Sequence, residues 1–103
     1  MKTLMIVAFG DSITQAKEVA PEKRWPELLH AALQAQTPER EARVLNAGVG
    51  GNTSREGLAR IERDVLSHRP DWVLVEFGGN DATHEPARHV PPDEFAANLA
   101  RIE

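Results

Sequence analysis

The chain has 103 residues, 41% hydrophobic and 27% charged, with a net charge of −4 at pH 7. That suffices for one small domain, or part of a larger one, with a modest core, and its interspersed charges form no basic stripe to neutralise a phosphate backbone, so nucleic acid is not an expected partner. No apolar run approaches the roughly 20 residues that span a bilayer, and without cysteine there is neither a disulfide framework nor a thiolate metal site.

Met1-Lys2-Thr3 and the apolar residues behind it resemble the start of a signal peptide. The run ends at Gly10 and Asp11, however, so it reads as a first strand, with the cytoplasm as the default compartment. Residues 4–8 have no polar interruption, the mark of a strand buried on both faces in a parallel sheet. In Phe9-Gly10-Asp11-Ser12-Ile13-Thr14, Gly10 permits a sharp turn and leaves Ser12 at the carboxyl end of a central strand, where open α/β sheets place ligand sites. A hydroxyl there is a candidate nucleophile; the other reading of Gly-Asp-Ser is a turn or a helix cap.

Residues 15–24 are polar and read as a loop. A helix is expected over 25–36, with Trp25, Leu28, Leu29, Ala32 and Leu33 on one face, Pro26 in its first turn and Thr37-Pro38 as its stop. A short second strand over 42–46 opens into the glycine-rich loop Ala47-Gly48-Val49-Gly50-Gly51-Asn52. Thr53-Ser54-Arg55-Glu56 then has the form of a capping box, and Leu58, Ile61, Val65 and Leu66 give a second helix its apolar face, to an end near His68. A third strand over 72–77 runs into Gly78-Gly79-Asn80-Asp81. After a polar loop over 83–92, Phe95, Leu99 and Ile102 recur at helical spacing to the last residue.

Strand alternating with helix three times predicts a parallel sheet with right-handed crossovers. The expected architecture is a three-layer α/β/α fold of the flavodoxin type with strand order 2-1-3, incomplete in this chain, its switch point between strands 1 and 3. Those strands end in Ser12 and Asn80, and the second delivers Gly51 to the same rim. Read singly, Asn80 could be a cap or turn residue and Gly51 a backbone requirement. Asp11, Asn46 and Asp81 read mainly as sources of structural hydrogen bonds around the loops.

Three blocks now stand in order: Gly10-Asp11-Ser12-Ile13-Thr14, Asn46-Ala47-Gly48-Val49-Gly50-Gly51-Asn52-Thr53-Ser54 and Gly78-Gly79-Asn80-Asp81. Each follows an expected parallel strand, and together they resemble the first three sequence blocks of the SGNH hydrolases, also called GDSL esterases and lipases. The resemblance implies that Ser12 is the nucleophile of an acyl-enzyme mechanism. It also implies an oxyanion hole built from the backbone N–H groups of Ser12 and Gly51 and the side-chain amide of Asn80. Asp11, Gly79 and His84, on the same turns, are the positions expected to touch substrate. The substrate would be a small ester such as an acyl glycerol, an acetylated sugar or an aryl ester, with no metal and no organic cofactor.

The family's general base, an Asp-x-x-His near the C-terminus, does not occur here. His30 and His68 read as surface histidines, and His84 and His89, in the loop after Asn80, do not match the catalytic position. A third helix should lead to a fourth parallel strand, and without one the third strand is an apolar edge open to self-association. Residues 1–103 therefore read as one domain truncated at its C-terminus, the N-terminal half of a family member. Two other readings stand beside the hydrolase. One is a non-catalytic flavodoxin-like module binding an anion or nucleotide at its strand ends, although Gly48-Val49-Gly50 lacks a dinucleotide fingerprint or a P-loop lysine. The other is an inactive fragment, whose missing base would remove activity on the order of 10⁶-fold.

Overall fold

The computed structural model describes residues 3–103. Its centre is β1 (Leu4–Gly10), buried from Ile6 onward. β2 (Ala42–Gly48) lies parallel on one side, with Leu4 opposite Ala42 and Gly10 opposite Gly48. β3 (Trp72–Glu76) lies parallel on the other, from Ile6 opposite Trp72 to Gly10 opposite Glu76. The order β2-β1-β3 is the one the sequence predicts. The first crossover runs from β1 to β2 and the second, of the same hand, runs back from β2 past β1 to β3, so α2 (Trp25–Gln36) packs on β2 over one face, while α3 (Ser54–Asp64) and α4 (Pro92–Ile102) pack together over the other.

Residues of β1 alternate between these faces. Val7 and Phe9 join Val65 in a fully enclosed cluster that Ile61, Val73 and Ile102 extend. The Phe77 ring meets Phe9 edge-on, with centroids 5.1 Å apart. Burying a side chain the size of Phe9 contributes about 1.5–3 kcal/mol. Among the described residues no helix is long and apolar enough to cross a membrane.

Several details differ from the sequence reading. β1 and β2 each run two residues further, so Gly10 ends a strand and the chain turns at Asp11. Gly10 is needed for close approach and not for the turn: a Cβ there would stand 2.5 Å from both the Glu76 carbonyl oxygen and Thr14 Oγ1. The polar stretch 15–24 is not all loop; it holds the end of α1 (Ser12–Gln15) and a 3₁₀ turn at Pro21–Lys23. α3 stops at Asp64, and a separate 3₁₀ turn, Leu66–His68, completes the expected helix. α4 begins at Pro92, inside the expected loop, because the fixed φ of proline suits the first helical turn.

Burial also departs from expectation. Trp72 is 65% exposed and Leu74 and Val75 about 40%, since β3 is an edge strand among the described residues and α2 packs on β2. Leu28 and Leu66, placed by periodicity on apolar faces, are more than half exposed.

Candidate active site

Ser12 is the first residue of α1, exposed at the carboxyl end of β1. The turn beneath it is tied down on three sides. The Asp11 carboxylate caps the helix by accepting the Ile13 N–H at 3.0 Å, and at 2% exposure this side chain is not open to solvent. Asn46 donates to the Thr14 carbonyl at 2.9 Å and accepts the Gly48 N–H at 2.9 Å, which fastens α1 to the end of β2. Thr14, fully buried, donates to Glu76 Oε1 at 3.1 Å. Burial, the hydrogen bond to Asp11 and the charge of Asp11 push the Glu76 carboxyl up to about 7, against a smaller opposing effect of the Thr14 hydroxyl. Nothing in the sequence marks Glu76 beyond its place in the third strand.

The glycine-rich loop lies against this turn. Val49 N–H donates to the Gly10 carbonyl at 3.0 Å, and Gly50 N–H to Gln15 Oε1 at 2.9 Å. A Cβ on Gly50 would be 3.8 Å from Ser12 Cβ, so the loop edges directly along the serine. Gly51 has φ +82°, a conformation that favours glycine, and the space where a Cβ would stand is empty to 4 Å. Beyond it, the carbonyl of buried Asn52 accepts from Asn80 Nδ2 at 2.9 Å. An amide NH₂ has two N–H groups, so Asn80 keeps one more to donate. Gly79 is exposed, with open space where its Cβ would be.

One buried group was missed in the sequence. Arg60, 9% exposed, donates to the Gly10 carbonyl, the Ala47 carbonyl and Asn52 Oδ1. Its signal was a basic residue placed between Gly57 and Ile61 on the inward side of an amphipathic helix. Asp81 accepts the Ser54 N–H at 3.0 Å and the Ser54 hydroxyl at 2.6 Å, and that hydroxyl accepts from Asn98 at 3.1 Å. The turn after β3 is thereby joined to the N-terminus of α3 and to the middle of α4. The capping box at Thr53 and Glu56 is present, the Glu56 carboxylate taking the Thr53 N–H at 2.9 Å.

The histidines lie elsewhere. His84 is exposed in the loop after Asn80, and His89, also exposed, sits with Nδ1 3.0 Å from the Thr83 carbonyl beside a cavity of about 320 Å³. His30 is 3.5 Å from Glu27 on α2, and His68 ends the exposed 3₁₀ turn. Among the described residues no hydrogen bond links a histidine to Ser12, and no three His, Asp or Glu side chains are grouped to hold a metal ion. The site thus consists of an exposed hydroxyl at a strand end, a glycine loop along one side and a neutral amide held by that loop. These are parts suited to receiving a carbonyl group.

The profile of the GDSL-like lipase/acylhydrolase family matches residues 8–103. Thioesterase 1/protease 1/lysophospholipase L1 of Escherichia coli strain K12 is 38% identical, over 93% of this chain and 47% of its own length. The arylesterase of Vibrio mimicus is 34% identical over 94% of this chain and 46% of its own. The crystal structure of AlinE4, an SGNH-hydrolase family esterase, superposes with a TM-score of 0.81 at 35% identity, covering 99% of this chain and 52% of that one. The chain spans about half the length of the relatives it matches. With its three strand-end blocks on one rim of a β2-β1-β3 sheet, the chain belongs to the GDSL-like lipase/acylhydrolase family.

Proposed function

We propose that this chain is the nucleophile and oxyanion portion of a serine hydrolase acting on small carboxylic esters. Ser12 Oγ attacks the acyl carbon as its proton passes to a base, the tetrahedral oxyanion collapses as the base returns that proton to the leaving oxygen, and the alcohol departs from an acyl-Ser12 that water then hydrolyses. The backbone N–H groups of Ser12 and Gly51 and the free N–H of Asn80 stabilise the oxyanion. What supports this most directly is the seating of the glycine loop against Ser12, with Asn80 hydrogen-bonded to the same loop. The chemistry named for the relatives, lysophospholipid, thioester and aryl ester cleavage, agrees with an acyl substrate without choosing its alcohol.

We further propose that residues 1–103 form one domain that is completed, and given its general base, by polypeptide outside this segment. Left unpaired, the β3 edge is proposed to join two copies of the chain. The anion-binding alternative gains no support from the loop, because Val49 and Gly50 direct their N–H groups to Gly10 and Gln15.

Oxyanion donors and binding still accelerate acyl transfer about 10³- to 10⁴-fold when a triad member is missing. Treated with p-nitrophenyl acetate and imidazole as a surrogate base, the chain should therefore acetylate Ser12 well ahead of exposed Ser67, as read by peptide mass spectrometry. Equal modification of the two serines would overturn the hydrolase reading, and Ser12→Ala supplies the blank.

A further inference from the structure

Arg60 is the residue on which the ends of β1 and β2 and the glycine loop meet. From α3 its guanidinium donates through Nη2 to the Gly10 carbonyl at 2.9 Å, through Nη1 to the Ala47 carbonyl at 3.0 Å and through Nε to Asn52 Oδ1 at 2.7 Å. Asp64, one turn further on, accepts from Nη1 at 3.1 Å, and the Phe9 ring lies 4.6 Å from Cζ. A buried cation is tolerated only when its donors are matched. The ion pair with Asp64 and the Phe9 face would go far towards that on their own. Three further donors are spent instead on the last residue of β1, the next-to-last residue of β2 and the loop residue beside Gly51.

These anchors converge on the proposed donors. The Gly10 carbonyl, two residues before Ser12, receives both Arg60 and the Val49 N–H. Asn52, held by Arg60 at its side chain, holds Asn80 with its carbonyl. Gly51 is therefore suspended between two fixed residues, and Asn80 is reached from Arg60 through one intermediary.

We propose that Arg60 is the positioning residue of the oxyanion hole: one guanidinium sets the ends of β1 and β2 and the glycine loop in register, and through Asn52 it aims the Gly51 N–H and the Asn80 amide at the oxyanion formed on Ser12. This inference rests on the hydrolase reading above. A planar fork with five N–H groups can bridge three acceptors at fixed angles; a lysine ammonium is a point charge on a flexible stem and cannot.

The test compares Arg60→Lys, Arg60→Ala and the core variant Val65→Ala, which destabilises without touching the rim. Amide hydrogen exchange reads the loop at Val49 and Asn52 and the global reference at Val7. In Arg60→Lys the loop amides should exchange faster relative to Val7 by a factor on the order of ten, the effect of one lost charge-assisted hydrogen bond. Imidazole-assisted acetylation of Ser12 should fall on the order of 10²-fold, as expected for a displaced reactive geometry. In Val65→Ala both ratios should stay at the wild-type value. Ethylguanidinium, at concentrations that leave the wild type folded, should restore part of the acetylation in Arg60→Ala and none in Val65→Ala.

If Val49 and Asn52 change only in step with Val7, or if acetylation in Arg60→Lys matches that in Val65→Ala, Arg60 serves the fold alone and the proposal is overturned. Should Arg60→Ala not fold, Arg60→Lys carries the same two readouts. If wild-type Ser12 is acetylated no faster than Ser67, the hydrolase reading fails, and with it the link to an oxyanion. Exchange at Val49 and Asn52 then still decides whether Arg60 orders the rim.

Discussion

Asn80 is held structurally by the same amide that is proposed to act on the oxyanion. Its Nδ2 is spent once on the Asn52 carbonyl, which fixes the amide plane so that the second N–H has a defined direction. Asn80→Ala should therefore lower Ser12 acetylation on the order of 10²- to 10³-fold, the usual effect of losing one oxyanion donor. A loss within about threefold would remove Asn80 from the mechanism. Glu76 makes a separate, pH-dependent prediction. Its carboxyl titrates at about 7 in the folded chain, above the ordinary 4.5, because of burial and then Asp11. The folded state thus holds a proton that the unfolded state releases. The stability that Glu76 contributes is fully present below about pH 4.5 and is lost as pH rises through about 7. Urea midpoints across that window should decline more steeply in wild type than in Glu76→Gln; parallel curves would refute the shift.

Among the elements, α3 is held at its N-terminus as well as through Arg60. Asp81 accepts the Ser54 N–H and hydroxyl there, Asn98 joins from α4, and the exposed Arg55 forms a bidentate pair with Glu94 at 2.7 Å for each contact. Removing the acceptor strands buried donors, so Asp81→Ala should cost about 1–3 kcal/mol in urea unfolding, and Asp81→Asn less because an oxygen remains. A change below about 0.5 kcal/mol for Asp81→Ala would mean that water replaces the carboxylate. Because the turn after β3 and the start of α3 share this network, loss of the contact should also loosen the segment that holds Asn80.

For the molecule as a whole, the proposed self-association turns on one edge of the sheet. β3 exposes Trp72, Leu74 and Val75 beside a groove of about 770 Å³ lined by Ile61, Val65, Val73, Leu99 and Ile102. An edge strand of this kind pairs readily with another strand. Sedimentation should show concentration-dependent association of the chain, and Val75→Lys should abolish it without unfolding the protein. A monomer at every concentration, or a variant that associates like wild type, would contradict the proposed pairing.

The strands, their order and the three rim blocks were legible in the sequence. They depend on local periodicity, on glycine and proline chemistry and on the handedness of crossovers, all of which act over a few residues or by a general rule. Thus residues 4–8 of β1 and the capping box of α3 are found where the pattern puts them. What tertiary structure alone decided were the long-range pairings: Arg60 with Gly10 and Asn52, Asp81 with Ser54, and Glu76 with Thr14 and Asp11. A polar residue's partner across the fold has no periodic signature. Burial failed for a related reason, since Leu28 and Val75 carry apolar patterns whether or not another surface covers them. The sequence by itself determined which chemistry reaches the rim; the packing of α3 and β3 against β1 determined how that chemistry is held.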